Sequence, residues 1–159
     1  MKAIVVFDSQ YGNTEKIARA IAEALSAQAG TTVCHAAAFA PEALAGCDLL
    51  VVGSPTQAFH ATKPIEGLLK GHRLDGIRAA AFDTRIDMAR ADSRVFKMAV
   101  KVAGDNAWAA TRIADQLEKD GATLVAPPAG FYVQDTEGPL APGELERASA
   151  WATGLLAAM

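Results

Sequence analysis

Short runs in which nearly every position is apolar recur at Ala3 to Phe7, Thr32 to His35, Leu49 to Gly53, Ala79 to Phe82 and Thr123 to Ala126. Between them, apolar residues return with helical spacing. A strand with one wet face alternates apolar and polar residues. A strand covered on both faces does not, and that is the situation in a parallel sheet flanked by helices. The pattern therefore predicts an α/β fold, with strands and helices taking turns along the chain.

The clearest helix follows the first run, where Ile17, Ala18, Ile21, Ala22 and Leu25 form one stripe. Asn13 is expected to cap it and Gly30 to lie where it must have stopped. A second helix is expected from about Asn106 to Asp120, with Trp108, Ile113 and Leu117 inward and Gly121 as its stop. A last one begins near Pro142 and Gly143 and carries Leu145, Ala148, Trp151 and Leu155 on one face, which makes Trp151 a core anchor. The segment from Thr84 to Asp105 breaks the pattern. It mixes Arg85, Arg90, Arg94, Lys97 and Lys101 with Met88, Val95, Phe96, Met98 and Val100. A connection this long either folds locally or serves as a lid or docking loop.

With 159 residues the chain fits a single domain spanning 1–159, and its 51% hydrophobic and 21% charged residues are those of a globular protein and not of a disordered one. A formal charge of −3 and a pI near 5.6 argue against nucleic acid as a partner. Cys34 and Cys47 sit beside apolar runs without metal-ligand company and are expected to be inert core thiols. His35 and His72 have no ligand-type spacing to other donors, so no metal is expected. The chain opens on strand-like Lys2 to Phe7 and has no apolar stretch near the roughly 20 residues that span a bilayer, which points to the cytoplasm and away from membrane insertion.

Chemistry concentrates where the first run meets the first helix. In Phe7-Asp8-Ser9-Gln10-Tyr11-Gly12-Asn13-Thr14, a buried strand leads through a hydroxyl-bearing loop into a helix. Ser9 and Thr14 can donate hydroxyl hydrogen bonds, and the amides of Gln10 to Thr14 converge on the positive end of the helix dipole. Gly12 lets the backbone turn tightly. The loop lacks the lysine of a nucleoside-triphosphate loop and the G-x-G-x-x-G of a pyrophosphate site, so a terminal monophosphate fits better. A Ser/Thr-rich turn that merely caps a helix is the plainer alternative.

From Val5 to Ile21, including Phe7, Ser9, Gly12, Thr14, Ala18 and Ile21, the chain resembles the flavodoxin signature. The resemblance implies a flavodoxin-like three-layer sandwich with a five-stranded parallel sheet in the order 2-1-3-4-5, and FMN as cofactor. Val51 to His60 is similar to the loop after the third strand that flanks the flavin ring in flavodoxins and related quinone reductases. Ligands of open α/β sheets lie where the strand order reverses, here between the first and third strands. The resemblance places Pro55, Thr56, Gln57, Ala58 and Phe59 at the ring, with Phe59 able to stack on it, Thr56 and Gln57 at its polar edge, and amides near Ala58 facing its redox-active nitrogen. Phe59 as a core aromatic and His60 as a solvated loop residue are the plainer readings of those two side chains.

A third flavin loop is expected at Phe82-Asp83-Thr84-Arg85, where the chain departs from the family's acidic, glycine-containing turn and stacking aromatic. Asp83, Thr84 and Arg85 are the expected contacts. An Arg85 close to the pyrimidine edge would favour negative charge on the reduced ring and raise its potential; a solvated or ion-paired Arg85 would do neither. The tail from Phe131-Tyr132-Val133 to Arg147 is similar to that of short-chain family members. The resemblance implies an electron carrier working between a flavin reductase and other redox protein partners. An FMN-dependent NAD(P)H:quinone or small-acceptor oxidoreductase using His60, and a domain that has lost its flavin, are the alternatives. The oligomeric state is not expressed in these features.

Overall fold

All five apolar runs become strands, and every strand pair in the sheet is parallel. In the computed structural model, which describes residues 1–159, the strands are β1 (Lys2–Phe7), β2 (Gly30–His35), β3 (Leu49–Pro55), β4 (Arg78–Ile86), β5 (Thr123–Leu124) and β6 (Ala129–Val133). The helices are α1 (Asn13–Ser26), α2 (Lys63–Leu69), α3 (Arg94–Ala103), α4 (Ala109–Lys119) and α5 (Glu144–Ala157). The sheet order is β2-β1-β3-β4-β5, the expected 2-1-3-4-5, with β6 also pairing with β4. β5 meets Arg78 and Ala79 while β6 meets Phe82 to Ile86, so the fifth position is one strand in two pieces. Pro127 and Pro128 lie in the gap. Neither has an N–H to offer the ladder, which breaks there.

Because neighbouring side chains of a strand point to opposite faces, β1 feeds two cores. Ala3, Val5 and Phe7 pack with Ile17, Ile21 and Leu25 of α1 and with Ala148, Ala152 and Leu155 of α5. Ile4 and Val6 pack on the other face with Ile65 and Leu69 of α2 and with Ile113 and Leu117 of α4. This is why the runs are apolar at every position. Each fully buried Ile or Leu contributes about 2 kcal/mol by leaving water. Gly53 of β3 is required by close packing, since a Cβ there would fall inside the Phe82 ring.

Several boundaries differ from expectation. The cap of α1 is Gly12, held at φ +88°, and not Asn13, whose side chain is drawn away by a partner described below. α1 stops at Ser26, and Gly30 already belongs to β2. α4 begins at Ala109, leaving Trp108 outside it and half-buried. Leu145 is exposed, because the inner face of α5 is made by Ala148, Ala152 and Leu155. β4 runs on to Ile86, four residues beyond Phe82, whose ring packs edge-on to Phe131. α2 and β6 had no expectation behind them: α2 has only Ile65 and Leu69 as an inner stripe, too short to show a period, and β6 alternates. The 84–105 segment folds locally, as α3 followed by a tight turn at Gly104–Ala107. No helix is long and apolar enough to cross a membrane. Trp151 packs edge-on to Phe82 and Phe131.

Cys47 is buried and Cys34 half-buried, and burial pushes both thiols up from their ordinary values. Both should therefore react with iodoacetamide more slowly than free cysteine near pH 8, a difference that unfolding in urea abolishes. Gly53→Ala should lower stability by at least about 2 kcal/mol through overpacking. Gly67→Ala, in α2 with open space around it, should raise it by about 1 kcal/mol from helix propensity alone. Urea titrations of the two variants check both signs.

Candidate functional site

The first loop leaves the sheet at Asp8, whose N–H still donates to the Gly53 carbonyl at 3.1 Å. Ser9 Oγ accepts from the amides of Gly12 (3.0 Å) and Glu15 (3.4 Å), folding the loop back over the start of α1. That use of Ser9 is a cap, and its own hydroxyl proton remains free to donate. The amides of Gln10, Tyr11, Asn13 and Thr14 have no acceptor anywhere in the protein. They gather at the N-terminus of α1, where the helix dipole favours negative charge. Thr14 is buried and shares a 2.8 Å hydroxyl hydrogen bond with Thr84, joining this loop to the end of β4.

Two contacts brace the loop from outside. Asp8 Oδ1 accepts from the Ser9 amide and from His35 Nε2, both at 2.9 Å. Parallel pairing sets Phe7 against His35 and so brings the imidazole within reach. His35 Nδ1 accepts from the Ala37 amide at 3.2 Å, so the ring proton sits on Nε2. The Asn13 side-chain amide donates to the Glu137 carbonyl at 3.1 Å, tying the loop to the chain after β6. Gly138 lies directly against Asn13 with no room for a Cβ, which is the one local signal in the sequence that this contact existed.

The second loop is a tight turn. Gln57 and His60 exchange backbone hydrogen bonds of 2.9 Å in both directions. Between them Ala58 (φ 46°) and Phe59 (φ 68°) both occupy the left-handed region, the geometry of a hairpin turn that usually takes Asn-Gly. Two non-glycine residues there store strain. The amides of Ala58 and Phe59 donate to nothing in the protein. The Phe59 ring lies parallel to Phe96 of α3, with centroids 6.2 Å apart and planes 5° from parallel. His60 turns outward: its Nδ1 is 3.5 Å from Glu66 Oε1, and it borders a separate groove of about 370 Å³ between α2 and α4.

The third segment is organised by Asp83, which is wholly buried. Its carboxylate accepts from Arg85 Nε (2.6 Å) and Nη2 (2.8 Å), from Thr56 Oγ1 (3.0 Å) and from the Ala110 amide (2.9 Å) at the start of α4. Thr56 Oγ1 also accepts from the Ala109 amide, so both of its hydrogen-bonding directions are occupied. The Arg85 guanidinium lies 4.2 Å from the centre of the Trp108 ring and over Gly130 of β6, where a Cβ would collide with it. Arg85 is thus an ion-paired side chain.

These pieces surround one cleft at the carboxyl ends of β1, β3, β4 and β6. Ser9, Gln10, Tyr11, Asn13 and Thr14 form one wall; Pro55, Thr56 and Gln57 form the second; Thr84 and Arg85 form the third. Ile86, Val133 and Thr136 complete the rim and were not among the expected residues. Thr136 follows a strand that pairs with β4, so the topology alone decides its place. Gly12 supports the loop from behind, Asp83 lies beneath the floor, and Ala58 and Phe59 stand at the tip of the turn, outside the walls. The side chains of Gln10 and Gln57 meet across the cleft in a close contact.

Removing Arg85 strands a buried carboxylate. Arg85→Ala should cost about 3 kcal/mol, because breaking one side of a buried pair leaves its charge uncompensated. Asp83→Asn with Arg85→Ala should cost less than the sum of the single changes in a double-mutant cycle of urea titrations. Ala58→Gly should stabilise by about 1 kcal/mol as the strained turn relaxes.

Comparison with known proteins agrees with this geometry. The model of a family described as "Flavodoxin domain" matches residues 4–114. No curated protein matches the sequence. Among solved structures, the oxidised flavodoxin 2 of Bacillus cereus superimposes with a TM-score of 0.76 at 22% identity, covering 100% of both chains. A flavodoxin from the domain Archaea gives 0.74 at 22% identity, over 98% of this chain and 96% of that one. Rubredoxin:oxygen oxidoreductase of the anaerobe Desulfovibrio gigas gives 0.73 at 20% identity, with 99% of this chain matching 36% of that one. At such identities the structures speak for the shared fold, and it is the family match over most of the chain, together with the strand order, that decides membership: this protein belongs to the flavodoxin family.

Proposed function

We propose that the chain, as a single domain, binds FMN in the cleft and carries electrons between a flavin reductase and a redox protein partner. The observation that carries this reading is the set of four amides, Gln10, Tyr11, Asn13 and Thr14, left without acceptors at the N-terminus of α1. Gln10 and Tyr11 are exposed, but Asn13 and Thr14 are buried, and buried backbone donors are rarely left unpaired unless something else fills them. A terminal phosphate supplies acceptor oxygens and the negative charge that the helix end favours. The free hydroxyl proton of Ser9 points the same way. The site lies between β1 and β3, where the strand order reverses.

When bound, the flavin supplies the redox chemistry, and the protein's task is to hold it and shape its surroundings. In this reading Ser9 to Thr14 hold the phosphate, and Pro55, Thr56, Gln57 and the free amides of Ala58 and Phe59 face the ring. Thr84 and Arg85 form the opposite edge. Asp83 acts through Thr56 and Arg85 as a positioning residue. Because Asp83 balances Arg85, the ring edge meets a paired charge, and the upward pull on its potential is smaller than a free guanidinium would exert. An NAD(P)H oxidoreductase using His60 has less support, since that side chain turns to Glu66 and away from the cleft.

Purified protein should be yellow or become so with FMN, and fluorescence titration should show riboflavin binding about 100-fold more weakly, as several charge-assisted hydrogen bonds are lost. Gly12→Val, which strains the loop at φ +88°, should weaken FMN by about tenfold or more and leave riboflavin little changed. Colourless protein that ignores FMN, or rapid NAD(P)H oxidation without any reductase, overturns the reading.

A further inference from the structure

α3 has a wider apolar arc than the fold uses. At about 100° per residue, Phe96, Ala99, Val100 and Ala103 share one side of the helix, and these are its half-buried residues. Val95, Met98 and Val102 form an adjoining stripe that is 80%, 62% and 82% exposed. Along the outer border of that stripe run Arg94, Lys97 and Lys101. The arrangement is unfavourable for the free chain in two ways: apolar surface stays in water, and like charges sit three and four residues apart on one face. None of Arg90, Arg94, Lys97 or Lys101 forms an ion pair.

Charge is also divided unevenly. Residues 90–103 hold four basic side chains and one acid, whereas the rest of the molecule holds 11 and 17, net −6. A negatively charged protein is repelled by most of this surface and attracted to one patch, which orients its approach. That patch adjoins the cleft. Phe96 stacks on Phe59 of the turn after β3, and a hollow of mixed charge, lined by Ile86, Arg90, Asp92, Ser93, Phe96 and Asp135 among others, shares Ile86 with the cleft itself.

We infer that the outward face of α3 is the docking surface for an acidic redox protein whose contact region has an apolar centre and a carboxylate rim. The redox character of the partner rests on the electron-carrier reading; the acidic, apolar-centred surface rests on α3 alone. Val95, Met98 and Val102 supply the buried centre, and Arg94, Lys97 and Lys101 supply steering and register, as a polar rim does in other interfaces. A membrane surface fits less well, because cations border the stripe on one side only while the packed side of the helix closes the other.

The test titrates the isotope-labelled full chain with an acidic [2Fe–2S] ferredoxin as probe, following amide shifts. Shifts should concentrate in residues 94–103, affinity should fall as salt is raised, and Lys97→Glu with Lys101→Glu should weaken binding about tenfold or more. Val95→Ser with Val102→Ser should weaken it with less change in salt dependence. Thermal melts report whether either variant is folded. The inference is overturned if shifts map elsewhere, if the folded charge-reversal variant binds unchanged, or if α3 responds only to phosphatidylserine vesicles or to self-association in sedimentation runs. A parallel FMN titration separates the two readings: its failure sinks the cofactor assignment and leaves the shift map of α3 to be judged independently.

Discussion

The carboxylate of Asp83 has no contact with water, yet it carries charge, and the geometry around it follows from that. Taking such a group out of water costs several kcal/mol unless donors surround it. Here they come from three parts of the chain: Arg85 on its own strand, Thr56 after β3, and the first turn of α4, while Trp108 and Gly130 seat the guanidinium. Each bond pins one wall of the cleft to the next. The carboxylate also faces the N-terminal amides of α4, where the helix dipole favours it. The floor of the cleft is therefore rigid, and its shape is not left to loop residues.

Above this floor the loops are braced at their ends and open at their centres. Ser9, Asp8, His35 and Asn13 hold the first loop from both sides, and the Thr14–Thr84 bond closes it against β4. The amides in the middle stay free. The turn after β3 repeats the arrangement: Gln57 and His60 close it, and the strained residues at its tip keep their donors unspent. Preorganised donors that need no rearrangement on binding suit a site that must hold a ligand without losing stability to loop ordering. At the end of β4, Arg85 and Asp83 form an ion pair, and the connection beyond it folds a helix of its own.

Much of this was legible in the sequence. The parallel sheet could be read because strands covered on both faces must be apolar at nearly every position, and the five runs show it. The phosphate end could be read because Ser9, Gly12, Asn13 and Thr14 follow a buried strand and precede an amphipathic helix, a local arrangement whose consequences are local. Where residues act through distant partners, the reading ran out. Asn13 looked like a cap until the chain after β6 offered it a carbonyl. Phe59 is expected at the ring, and the fold adds Phe96 of α3 as its stacking neighbour, which no local pattern announces. Asp83 and Arg85, two apart on one strand, gave no sign that they would share a buried pair, because that depends on the N-terminus of α4 arriving beneath them.

Sequence by itself thus determined the strand and helix alternation, the family, and the loop with its helix end, since these depend on hydrophobic period and on backbone chemistry within a dozen residues. Only the tertiary structure decided which side chains face the cleft, which are consumed as supports, and which face of α3 remains uncovered. The physical reason is the same in each case: hydrogen bonds, ion pairs and packing are saturable, and which partner wins is settled only when elements remote in sequence are brought together.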